Sequence, residues 1–208
     1  DGHTIKDIIT RGPRDIDFIS AGSSVDGLNN LTPEQIHFLV HKIDELNSMY
    51  DFIIIDTGAG ISDQVMEFVA SSSEIILVTT PEPTSITDSY SLLKALYKRK
   101  NFVPDNTRIK VIANKVTSRD DANIVYNKIN SVVIQFLKGR LEYLGYIPSD
   151  VSVEKAVRQQ QIVSICEPFS KASRAYDDIA EKLLGNEPAQ NTVKKSIAHI
   201  FSSFLKKQ

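Results

Sequence analysis

The chain has 208 residues, 41% hydrophobic and 24% charged, enough for one sizeable core and too few for two ordinary domains. A formal net charge of -2 excludes a global attraction to nucleic acid, and a lone cysteine, Cys166, excludes an internal disulfide or an all-cysteine metal cluster. No apolar run approaches the roughly 18 residues that span a bilayer, so the body reads as a soluble domain of a reducing cytoplasm.

In chain order, the first apolar, β-rich run is IDFIS at 16–20. A helix follows from TPEQ: Thr32 caps, Pro33 suits the first helical position, Gln35 completes a capping box, and Ile36, Leu39, Val40, Ile43 and Leu46 form one stripe. His37 and His41 stand four apart on it, but HFLVH lacks the glutamate of a metalloprotease and no third ligand is evident, so they read as solvated or packed side chains. DFIIID at 51–56 reads as a strand covered on both faces, since Phe52 to Ile55 show no polar alternation, and Asp56 would sit at its carboxyl end. Three more runs follow: EIILVTT at 74–80, RIKVIANK at 108–115 and YLGYI at 143–147. Helical patterns separate nearly all of them, so the expected fold is α/β, a mostly parallel sheet with helices on both faces. RDD at 119–121 and Asp177–Asp178 read as exposed helix charges, and Cys166 as a small buried hydrophobe. NEPAQNT reads as a linker, which divides the chain into a body at 1–185, a linker at 186–192 and a terminal helix at 193–208.

The polar residues that end these runs are Asp56, Thr79 and Thr80, Asn114, and then Pro148, Ser149 and Asp150. In open α/β sheets ligands bind beyond the carboxyl ends of the strands. An acid near a metal at one strand and an amide able to read a base edge at another is the distribution a nucleotide needs. The phosphate cradle G-x-x-x-x-G-K-S/T does not occur within these residues. The sequence therefore carries the magnesium and base sides of a nucleotide site without its phosphate side.

DFIIIDTGAG, ILVTTPEPTSITDSYSLLKAL, VIANKV and GYIPSDVSVEKAVRQQQIVSICEPFSKASRAYDDIAEKLLG, in that order, resemble the MinD/ParA group of deviant P-loop ATPases, the SIMIBI type of P-loop NTPase. TGAG and the upstream TIKDIITRGPRDIDFISAGSSVDGL are most similar to the bacterial flagellum-number regulators known as FlhG, FleN or YlxH. The resemblance covers residues 4–185. It implies that Asp56 reaches the magnesium shell through a bound water, that Gly58 and Gly60 lie in the loop sensing the terminal phosphate of ATP, and that Asn114 recognises the base, with Pro148, Ser149 and Asp150 on its other side. Glu82 and Asp88 match positions near the family's dimer interface. Family members begin with a strand, a lysine-bearing phosphate loop and a first switch, so this chain resembles a member cut about a quarter of the way in, with the strands that flanked the lost one exposed.

The tail NTVKKSIAHIFSSFLKKQ offers Thr192 as a cap and one helical stripe of Val193, Ile197, Ile200, Phe201, Phe204 and Leu205. Such a stripe alone also suits a core helix. The linker before it and the flanking Lys194, Lys195, Lys206 and Lys207 point instead to an anionic membrane surface. Ordering the segment offsets much of the gain from burying its apolar side chains, so one tail binds marginally and two on a dimer bind well. The resemblance implies this use: nucleotide-dependent homodimers attach to the inner face of the cell membrane and act on flagellar assembly proteins, with no nucleic acid expected. The alternatives are a non-catalytic interaction scaffold and a ParA-like DNA-partition protein.

Overall fold

A computed structural model describes residues 5–19, 46, 48–58, 60–100 and 102–185. The expected helix from Thr32 with His37 and His41 (Leu46 apart), the linker at 186–192 and the tail at 193–208 lie outside them. The described residues up to Ser71 fall in one unit and those from Ser72 in another.

The first unit pairs β1 (Thr10–Arg11) with β2 (Asp17–Phe18) antiparallel, Thr10 opposite Phe18 and Arg11 opposite Asp17. The turn between them puts Arg14 and Asp15 at φ 58° and 61°, and Arg11 bonds Asp15 at 2.8 Å while Tyr50 Oη donates to Asp17 Oδ2 at 2.7 Å. Helix α1 (Asp63–Ser71) ends the unit and buries Met66 and Ala70. The structure corrects two expectations. IDFIS supplies a two-residue antiparallel strand, and DFIIID forms no strand. A ribbon buried on both faces needs a hydrogen-bonding neighbour and a covering layer on each face. Among the described residues nothing pairs with 52–55, and Ile54 is 86% exposed.

The second unit runs β3 (Glu74–Thr79), α2 (Pro83–Tyr97), β4 (Arg108–Val116), α3 (Arg119–Val132), a π-turn at Val133–Leu137, β5 (Glu142–Pro148), α4 (Val151–Arg158), α5 (Val163–Cys166) and α6 (Lys171–Gly185). Its sheet has the order β3-β4-β5 with both pairings parallel, as the helical crossovers require. Central β4 is buried from Ile109 to Ala113, which is why its sequence lacks alternation. On one face Ile112, Leu144 and Ile147 pack against Ala172 and Ile179 of α6. On the other, Ala113 and Val116 pack against Ala122 and Val125 of α3, with Tyr143 and Tyr146 beside them. The expected parallel sheet covered on both faces is thus present, although Ile76 and Val78 of edge strand β3 stay exposed.

Helix α6 runs antiparallel to β5: Ala172 meets Asp150, just past the strand's end, while Lys182 Nζ bonds Leu144 O near its start at 3.1 Å. Gly145 lets the two approach, since a Cβ there would lie 3.1 Å from Ile179 Cγ1. Asp177 and Asp178 are exposed, as expected. Arg119 and Asp120 are too, whereas Asp121 is half-buried and accepts the Thr117 N–H and hydroxyl at 2.9 and 3.0 Å. Cys166 is exposed, which corrects the buried reading. It ends the single-turn helix α5, whose buried residue is Val163.

Candidate functional site at the carboxyl ends of the strands

Parallel pairing brings the carboxyl ends of β3, β4 and β5 to one rim. Thr79 stands opposite Ala113, Asn114 opposite Ile147 and Val116 opposite Pro148, and the Ser149 N–H donates to Val116 O at 2.8 Å. Asn114 and Pro148 to Asp150, expected together, are neighbours. The register slips between Asn114 and Val116, and the intervening Lys115 takes φ 56°, a left-handed conformation uncommon for a residue with a side chain. Asn114 Oδ1 accepts the Lys115 N–H at 2.9 Å and steadies that bulge. Its Nδ2, without a partner among the described residues, remains a donor for a ring nitrogen or carbonyl of a base.

At the end of β3 the buried Thr79 shares a 3.2 Å hydrogen bond with Ser85 Oγ, which also accepts the Thr80 N–H at 3.1 Å. Glu82 stands at the N-cap position of α2, just before Pro83, and makes no side-chain capping bond. A hydrogen bond from Thr80, then one from its own backbone N–H, and the charge of Lys115 hold its carboxyl below the usual range. Glu82 and Asp88 are both exposed on this side of the unit.

Asp150 caps two helices at once. One carboxylate oxygen accepts the Ser152 N–H of α4 at 2.8 Å and the other the Ala172 N–H of α6 at 3.0 Å. The Ser152 and then the Ala172 backbone bonds hold its carboxyl below the ordinary aspartate value. Its carboxylate thus fixes the loop, leaving the half-buried Pro148 and exposed Ser149 as the surfaces a ligand could touch.

Asp56, Gly58 and Gly60 belong to the other unit and are exposed. Gly60 has φ 119°, which side chains rarely adopt, and nothing lies within 4 Å of a Cβ placed at Gly58 or Gly60, so the backbone is open to close approach by a phosphate. Among the described residues no three histidines, cysteines or carboxylates gather around a metal. Magnesium suits the donors present, because it is commonly held by one carboxylate, water and the phosphates themselves.

Sequence reading missed Ser85, Lys115 and Ser118. Ser118 accepts the Asp121 N–H at 3.1 Å, an S-x-x-D cap that the sequence does display. Ser85 also carried a signal, as a serine in the first turn after Pro83. The bulge at Lys115 carried none.

No protein-family model matches the chain. It is 36% identical over 179 residues to the antiactivator FleN of Pseudomonas aeruginosa, covering 86% of this chain and 62% of FleN. It is 30% identical over 162 residues to the flagellum site-determining protein YlxH of Helicobacter pylori, covering 76% of this chain and 53% of YlxH. The septum site-determining protein MinD of Pyrococcus horikoshii, solved with Mg-ADP, superposes with a TM-score of 0.65 over 88% of this chain and 71% of that one, at 21% identity. The chain is thus a homologue of the flagellar proteins FleN and YlxH, with the fold of MinD, and it spans less than two thirds of the length of either FleN or YlxH. The superposition on MinD agrees with the parallel sheet and its two helical layers.

Proposed function

We propose that this chain forms the nucleotide-sensing and membrane-attaching part of a MinD-like ATPase that regulates flagellar number. The observation that carries the reading is Asn114, held on its bulge near Pro148 and Ser149 with an amide donor that no described residue engages, in a chain 36% identical to FleN. Asn114 reads the base, Pro148 and Ser149 line its other side, and Asp150 holds that loop in place. Asp56 reaches magnesium through a water, and Gly58 and Gly60 approach the terminal phosphate. Nucleotide occupancy drives dimerisation near Glu82 and Asp88. Pairing two tails raises their effective concentration at the inner face of the cell membrane, where flagellar assembly proteins are the partners.

Among the described residues no helix is long and apolar enough to cross a membrane. The tail attaches through Val193, Ile197, Ile200, Phe201, Phe204 and Leu205 and the lysines beside them. The test is co-sedimentation with anionic vesicles in the presence of Mg-ATP or Mg-ADP. The parent chain should sediment and the Ile200→Glu, Phe204→Glu variant should stay in solution with an unchanged circular dichroism spectrum. Equal sedimentation of the two would end the membrane reading. Sedimentation that ignores nucleotide in a folded sample would favour a non-catalytic scaffold.

A further inference from the structure

We propose that the amino-end rim of the second unit's sheet is itself a lipid-facing surface that contacts anionic headgroups alongside the C-terminal tail. The proposal rests on the tail reading for its orientation and on the rim's own residues for its chemistry. Because the strands are parallel, the connections 98–107 and 133–141, which lead into β4 and β5, both lie at this rim, opposite Asn114 and Pro148. They touch: the Tyr97 ring occupies the space a Cβ of Gly139 would need, and Tyr97 packs edge-on against Phe102 with centroids 5.1 Å apart. Helix α6 descends to the same rim, with Lys182 at Leu144 and Gly185 one turn further.

The charge of the rim departs from that of the chain. Lys98, Lys100, Arg108, Lys138 and Arg140 are all exposed there, within a protein of net charge -2. The acids on or beside these segments are Glu74, Asp105, Glu142 and, on the end of α6, Glu181, and Glu74 is already engaged by Arg108 at 2.8 Å and Lys110 at 2.7 Å. The opposite rim exposes a mixture, Glu82 and Asp120 together with Lys115 and Arg119. Among the cations stand Val103, Ile134 and Phe136, 47%, 50% and 61% exposed. The last two sit on the π-turn that ends α3. Cations interleaved with exposed aliphatic and aromatic side chains fit a headgroup layer, where lysine and arginine meet phosphate and the apolar groups enter the acyl boundary. The phosphate backbone of duplex DNA would use the cations alone and leave Phe136 and Ile134 in water.

The experiment compares the full chain with the variant Lys98→Glu, Lys100→Glu, Lys138→Glu, Arg140→Glu, using mixed phosphatidylethanolamine–phosphatidylglycerol vesicles, phosphatidylcholine vesicles and duplex DNA. Reversing four charges should weaken binding to the anionic vesicles by roughly tenfold or more, with little change on phosphatidylcholine. A Phe136→Ser variant should weaken the part of vesicle binding that survives high salt. Undiminished affinity of the charge-reversed chain for the anionic vesicles, with its fold intact by circular dichroism, would overturn the proposal, as would a loss confined to DNA. The Ile200→Glu, Phe204→Glu variant separates the two readings. If it binds like the parent while charge reversal abolishes binding, the rim stands and the tail reading falls; if it alone loses binding, the rim falls and the tail stands.

Discussion

Asp150 Oδ2 accepts the N–H of Ala172 at 3.0 Å, tying the loop after β5 to the first turn of α6 across 22 residues. The same carboxylate caps α4 through Ser152, so one side chain sets both helices that flank the proposed base site. Replacing it with alanine should cost roughly 1–3 kcal/mol, between one helix cap and two, and lower the melting temperature. The backbone bonds depress its folded pKa. Its contribution is therefore complete above the unfolded aspartate value and lost as pH falls through the folded one. Below about pH 4 the parent should lose stability faster than Asp150→Asn, and thermal melts across that window would show it. Parallel pH profiles for the two would contradict this role.

Lys110 is buried on β4, and Glu74 of β3 meets it at 2.7 Å with 29% of its own side chain exposed. Removing the acid strands an ammonium in the core. Glu74→Gln should destabilise by about 3 kcal/mol, toward the lower end for breaking a buried pair because water still reaches the glutamate. Adding Lys110→Met should restore much of that loss, since the methionine needs no partner. Urea denaturation of the single and double variants measures both steps, and additive losses would refute the pairing.

The left-handed Lys115 predicts an asymmetric response to substitution. Lys115→Gly should be nearly neutral, because glycine takes φ 56° without penalty, whereas Lys115→Val should cost roughly 1–3 kcal/mol and disturb the Asn114 amide that bonds its N–H. Equal stability of the two variants would show that the bulge is not strained.

How much of this was legible in the sequence depends on how local the cause was. The runs at 74–80, 108–115 and 143–147 became strands Glu74–Thr79, Arg108–Val116 and Glu142–Pro148; burial on both faces accounts for the run of β4, whereas β3 keeps its apolar run with Ile76 and Val78 exposed. The polar residues ending the last two runs did gather, since parallel pairing aligns strand ends whatever the intervening loops. The run at 52–55 has the same signature and forms no strand, because a strand also needs a neighbour and no local pattern records whether one is present. Asp150 illustrates another limit: the sequence marked it as part of the loop, but its second helix lies 22 residues away and only folding brings the Ala172 N–H to it. The slip that sets Lys115 left-handed is likewise a property of the β4–β5 register rather than of the Asn-Lys pair.

Where a nucleotide touches this chain decides the functional reading most directly. Titrating the isotope-labelled protein with Mg-ADP and following backbone amide resonances should shift Asn114, Lys115 and Ser149 together, and Asn114→Ala should remove the response without unfolding the sheet. Shifts confined to the opposite rim, or an unaltered response in Asn114→Ala, would contradict the assignment of this rim as the base side of the site.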